Sequence, residues 1–140
     1  DMSRSERLIG LMQLREKMRV RRQAQAVGEL SGELGRAQSM QTKLAGLIKS
    51  NTPLDEPMTP FALRSRAWYG RQMQEQFELL ENRNEFLAVE IAQARAALMH
   101  HKSRETVLEE NRVVARKTEI ESRESRAEGQ MPPRGVRTKY

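Results

Sequence analysis

Apolar residues recur three and four apart over two long stretches of this chain. In the first, Val27, Leu30, Leu34, Ala37, Gln41, Leu44 and Ile48 follow the rule, six of the seven being apolar. In the second, Met73, Phe77, Leu80, Asn84, Leu87, Ile91, Ala94 and Leu98 follow it, seven of the eight being apolar. A mean spacing of 3.5 residues lays such side chains along one slowly winding stripe of a helix, the pattern of a coiled coil. Neither stretch shows the two-residue alternation of a strand.

The segment from Ser50 to Pro60 holds Pro53, Pro57 and Pro60, three of the chain's five prolines. Proline deletes a backbone donor and clashes with the preceding helical turn, so no helix runs through. Thr59-Pro60 suits the start of the next helix, with threonine as cap and proline at the first position. Gly129, Pro132, Pro133 and Gly135 mark the end of the second helix. The sequence therefore predicts a helix over about 4–50, a loop over 51–59 and a helix over about 60–127. These form a single coiled-coil domain, 1–128, followed by a disordered tail, 129–140.

About ten residues of connection allow the helices to fold back as an antiparallel hairpin. The fold expected is all-α: an antiparallel two-helix coiled-coil hairpin with a longer, overhanging second helix. At 1.5 Å per residue the helices reach about 70 Å and about 100 Å, placing Leu8 opposite roughly residue 101 and leaving about 25 residues of overhang. Beyond Leu98 the same spacing picks out His101, Glu105, Leu108, Arg112 and Ala115, no longer an apolar stripe, so residues 102–128 read as a solvated helix laced with opposite charges. In the first helix Leu8, Leu11, Leu14 and Met18 keep apolar spacing until Arg22 and Gln23 interrupt it.

Composition fits narrow seams better than a three-dimensional core. Only 37% of the 140 residues are hydrophobic, against 31% charged and 4% aromatic, where a globular domain has nearer half apolar. There is no cysteine, which removes disulfide and thiolate chemistry. No apolar run is long enough to span a membrane. Asp1-Met2-Ser3-Arg4-Ser5-Glu6-Arg7 lacks the apolar segment of a secretory signal, so a cytoplasmic location is expected. A pair of helices offers no cavity in which to desolvate a carboxylate, and no phosphate-binding Gly-Lys run occurs. No enzyme activity and no cofactor are expected.

The net charge is +6, and it gathers at the two ends of the chain: +4 over residues 1–26, −1 over 27–101 and +3 over 102–140. Five of the eight residues Arg15–Arg22 are basic; they read either as a solvated face or as a contact for an acidic protein surface or phosphate. Interspersed glutamates argue against a nucleic-acid groove, which needs a continuous basic stripe. Gly28, Gly32 and Gly35 inside the first helix read as sites of close helix approach or local flexibility. Asn84 on the seam reads as a register-setting residue. His100 and His101 point about 100° apart on a helix and read as surface polarity rather than a metal site. Phe61, Leu63, Trp68 and Tyr69 gather at the loop end of the second helix, either capping the seam or presenting a contact patch.

The C-terminal stretch Leu108-Glu109-Glu110-Asn111-Arg112-Val113-Val114-Ala115-Arg116-Lys117-Thr118-Glu119, with Arg126-Ala127 after it, and the opening Leu8-x-x-Leu11-x-x-Leu14-Arg15, resemble the FliJ family of flagellar type III export stalk proteins. That family is related to the injectisome stalk proteins. The resemblance covers most of the chain in architecture and about twenty residues in motif. It implies a stalk whose paired helix ends enter the pore of the hexameric export ATPase, with the loop end reaching the export-gate membrane protein and handling substrate chaperones. The implied location is cytoplasmic, at the inner-membrane export apparatus through partners alone. On this resemblance Arg19, Arg21, Arg22, Arg112, Arg116 and Lys117 are the candidates for the ATPase contact. Trp68, Tyr69 and Met73 stand at positions comparable to the gate-contact surface, although the second helix here is one to two turns or more shorter than in other members. The alternatives are a basic coiled coil that self-associates or binds nucleic acid, or an injectisome stalk homologue.

Overall fold

The computed structural model describes residues 3–51 and 57–130. Two helices account for nearly all of them: α1, Arg4–Ser50, and α2, Pro60–Gln130. They pack against each other, and no strand occurs among the described residues. Gly129 and Gln130, expected to open a disordered tail over 129–140, belong to α2; the rest of that expected tail, 131–140, lies outside the described residues, as do loop residues 52–56.

Local chemistry fixes the helix starts. The Ser3 hydroxyl accepts from the Glu6 amide at 3.2 Å, and the Thr59 hydroxyl accepts from the Ala62 amide at 3.2 Å. Each satisfies an amide that the first turn leaves without an intrahelical partner. At its C-terminal end α1 closes with the Asn51 amide donating to the Leu47 and Ile48 carbonyls.

The helices meet in two compact units, Arg22–Leu98 and Asp1–Arg21 with Met99–Tyr140. In the first of these, every residue of both predicted apolar stripes is buried or half-buried. Ala37, Leu87 and Ile91 are the most enclosed. Asn84 falls among them and donates from Nδ2 to Gln41 Oε1 at 2.7 Å, pairing the two polar residues of the stripes across the seam. Its own Oδ1 is buried without a hydrogen-bond partner. At the loop end, Asn51 Nδ2 donates to the Arg66 carbonyl at 3.0 Å. A Cβ at Gly70 would sit 3.2 Å from that nitrogen, so the absence of a side chain there gives the amide room.

Gly28 and Gly35 have a different meaning. A Cβ at either would meet nothing within 4 Å, and one at Gly32 would meet only the Arg36 guanidinium. Close approach of α2 therefore does not account for these glycines. Gly28→Ala and Gly35→Ala are expected to raise stability by about 1 kcal/mol each, because glycine holds a helix interior poorly. Leu87→Ala, 3% exposed, is expected to lower it by about 2–5 kcal/mol. Urea unfolding followed by helical circular dichroism measures all three.

Candidate functional site

In the unit formed by residues 1–21 and 99–140, the two helices meet through polar side chains. Counting back along α1 from Val27 by fours and threes gives Gln23, Val20, Glu16, Gln13, Ile9 and Glu6. Glu6, Gln13 and Glu16 are 3%, 6% and 2% exposed, more enclosed than most of the chain's leucines. Across from them stand His101, Glu105, Leu108, Arg112 and Ala115 of α2, continuing the same spacing beyond Leu98. Of these only Leu108 is a large, buried apolar residue.

The Glu16 carboxylate is the centre of this contact. Its Oε2 lies 2.9 Å from Nδ1 of His101, and its Oε1 lies 2.9 Å from Arg19 Nη1 and 3.4 Å from Arg104 Nε. An ionised carboxylate only accepts, so His101 carries its hydrogen on Nδ1 toward Glu16. Burial raises the pKa of this carboxyl. The hydrogen bonds from His101 and Arg19 and the charges of Arg104 and Arg19 outweigh that effect and hold it below the ordinary carboxylate value. Further along, Gln13 donates through its amide to Glu109 Oε2 and accepts from Arg112 Nη1 at 3.4 Å. Arg116 Nη1 lies 3.5 Å from Glu6 Oε2. One helix thus supplies acceptors and a bifunctional amide, and the other supplies cations and a matching acid.

These contacts correct four sequence expectations. Arg116, not a residue near 101, faces the start of α1, so α2 extends only 14 residues past that pair, from 116 to 130. The solvated overhang of about 25 residues is replaced by a paired, polar seam. His101 is an interior partner of Glu16, its side chain 18% exposed, and not surface polarity. Leu8, Leu11, Leu14 and Met18, expected at the seam, are 59%, 66%, 57% and 53% exposed. The apolar residues of this part of α1 face outward because Glu6, Gln13 and Glu16 occupy the inward positions.

The chain matches no family model, no curated protein and no solved structure.

Among the six basic candidates, Arg19, Arg112 and Arg116 are engaged within the helix pair by Glu16, Gln13 and Glu6. Arg21, Arg22 and Lys117 are exposed and have no acidic partner among the described residues. The unit of residues 1–21 and 99–140 holds sixteen Lys/Arg against ten Asp/Glu, the entire +6, whereas residues 22–98 hold nine of each. Trp68 and Tyr69 stack edge to face at 5.1 Å and 76°. Phe61, Leu63, Trp68 and Tyr69 are 75%, 48%, 51% and 58% exposed, so none caps the seam and all four lie at the surface. A shallow groove runs between Phe61, Arg64, Trp68 and Arg71, and Met73 is half-buried on the inner side of α2. Among the described residues no group of three His, Cys, Asp or Glu side chains is placed to hold a metal, and no helix is long and apolar enough to cross a membrane.

A carboxyl whose folded-state pKa is lowered stabilises the fold above its unfolded pKa, and that contribution disappears as pH falls through the folded value. Thermal melts of the wild type should therefore lose stability on acidification through and below the ordinary carboxylate range. Glu16→Gln should flatten this dependence. At neutral pH it should cost on the order of 1–3 kcal/mol, because three donors lose a charged acceptor.

Proposed function

We propose that this chain is a non-enzymatic stalk of a type III protein export apparatus, of the flagellar kind that its motifs resemble. The observation that carries the reading is the cationic character of the helix pair at the chain ends: over the described residues 3–21 and 99–130 it holds thirteen Lys/Arg against nine Asp/Glu, where residues 22–51 and 57–98 hold nine against seven. A cationic helix pair suits insertion into an acidic or carbonyl-lined ring, where charge complementarity speeds encounter and fixes orientation. The hexameric export ATPase is the ring in this reading. The chain catalyses nothing itself and alters turnover by occupying the ring.

The exposed aromatic patch of Phe61, Trp68 and Tyr69 supports a second contact, assigned here to the cytoplasmic region of the export-gate membrane protein, with substrate chaperones as further partners. Large exposed aromatics concentrate binding energy where they are buried by a partner. Association with the inner membrane is then peripheral and passes through these partners.

The polar seam decides how the stalk is tested. Reversing Arg112 or Arg116 would disturb the helix pair itself, because each holds a side chain of α1, and reversing Arg19 would set a second acid against the enclosed Glu16. The triple variant Arg21→Glu, Arg22→Glu, Lys117→Glu leaves those contacts alone. Wild-type protein is expected to co-elute with the export ATPase of the same genome and to change its ATP turnover. The variant is expected to keep its helicity and lose both effects. Separate elution of the wild type, with unchanged turnover, would overturn the stalk reading.

A further inference from the structure

Each helix carries a second stripe, on the side away from its seam. On α1, Arg4, Leu8, Leu11, Arg15 and Met18 follow one another at spacings of four, three, four and three. All five are exposed, the three apolar ones by more than half. On α2, Glu75, Leu79, Asn82, Phe86 and Val89 repeat the same spacings over the same length. These too are all exposed, with Leu79, Phe86 and Val89 at 60%, 63% and 56%. Glu78 and Glu85 flank this second stripe. Arg4 and Arg15 have no acidic partner among the described residues, and Glu75, Glu78 and Glu85 have no basic one.

We infer that the Arg4–Met18 face of one copy of this chain docks on the Glu75–Val89 face of a second copy, as a heterologous coiled-coil contact. A seven-residue apolar repeat left in water on a helix surface is the docking face of a further helix. The charges select which helix. Two Arg4–Met18 faces brought together would gather four arginines with no acid between them, in direct register when parallel, and two Glu75–Val89 faces would likewise gather glutamates with no cation. Only the mixed pairing sets cation against anion. In parallel register Arg4 meets Glu75, Leu8 meets Leu79 and Met18 meets Val89, while Arg15 meets the Phe86 ring with Glu85 beside it. Leu11 faces Asn82 at the middle, whichever direction the helices run. Neither face includes Arg21, Arg22 or Lys117, so the contact stands or falls independently of the ring-ATPase reading.

The test uses full-length protein in analytical ultracentrifugation from micromolar to near-millimolar concentration. Wild type is expected to associate, less so as salt is raised, since exposed charge pairs are screened. Arg4→Glu with Arg15→Glu should be monomeric alone, its α1 face now repelled by the acidic face of its neighbour. Glu75→Lys with Glu78→Lys and Glu85→Lys should be monomeric alone for the converse reason. Mixed, the two variants should associate again, because the acidified α1 face of one fits the basic α2 face of the other. The chain has no cysteine, so mixing Leu11→Cys protein with Asn82→Cys protein gives an independent readout: a mixed disulfide dimer in excess over either homodimer. A wild type that stays monomeric throughout, a variant that associates as the wild type does, or a mixture that fails to recover association would each overturn the contact.

Discussion

Two packed helices share a single seam, and an inward side chain finds its partners on the facing helix or within a turn of its own. Among the described residues no second layer supplies a missing donor or fills a void. The constraint is mild where both stripes are apolar, as around Ala37, Leu87 and Ile91. It becomes demanding where they are polar. Glu16 is enclosed to 2% exposure, and a buried carboxylate without partners would sooner take up a proton than remain charged. It stays ionised because His101, Arg19 and Arg104 converge on its two oxygens. Glu6 and Gln13 are likewise enclosed and are partnered by Arg116 and by Glu109 and Arg112 of α2. The pairing of residues 6–16 with 101–116 follows from where His101, Arg104, Arg112 and Arg116 stand along α2, since a shift of one turn would take Glu16 from His101 and Arg104 and Glu6 from Arg116.

Such a seam contributes more to register than to net stability. Removing charges from water costs about as much as their attraction returns, so a well-packed apolar replacement is often neutral or better. What polar partners provide is a penalty for every other alignment. The Asn84–Gln41 pair is a small instance within the apolar seam, and the unpartnered Asn84 Oδ1 shows its cost. In the unit holding the chain ends, the same device is used throughout. Its side effect lies on the outside: with inward positions given to acids and amides, Leu8, Leu11, Leu14 and Met18 are left to the surface.

The sequence was most legible where the hydrophobic repeat is unbroken. All fifteen positions of the two predicted stripes turn inward, and the helix limits at Ser50 and Pro60 follow from proline and threonine chemistry. The reading went astray before Val20 and after Leu98, for one physical reason. Apolar residues mark the seam from Val27 to Leu98, whereas around Leu8 and Leu11 they mark the opposite face. On α1 the count itself keeps the frame, and on α2 the count holds but its polar residues resemble a solvated face. Continued strictly by fours and threes from Val27, it passes through Glu16, Gln13 and Glu6; from Leu98 it passes through His101, Glu105 and Leu108. Acids on one helix matched by a histidine and arginines on the other were visible as a complementary set, but only once the helices had been placed in register. Because register depended on those same polar residues, the apolar pattern alone could not supply it.

The candidate sites divide along the same line. Exposed groups such as Arg21, Lys117, Trp68 and Tyr69 were found from composition and clustering, which need no register. Arg19, Arg112 and Arg116 were found as part of the same basic ends, but their work inside the helix pair was hidden until their partners were known. An arginine that closes a polar seam while staying largely in solvent, as Arg116 does at 63% side-chain exposure, has its charge only partly spent on its neighbour. A partner that drew it away from Glu6 would leave a buried carboxylate without its cation, so binding at this surface and pairing of the two helices are thermodynamically linked. The surface at the chain ends therefore favours a partner that lets each of these arginines keep its acid, reading the face of the paired helices rather than prising them apart.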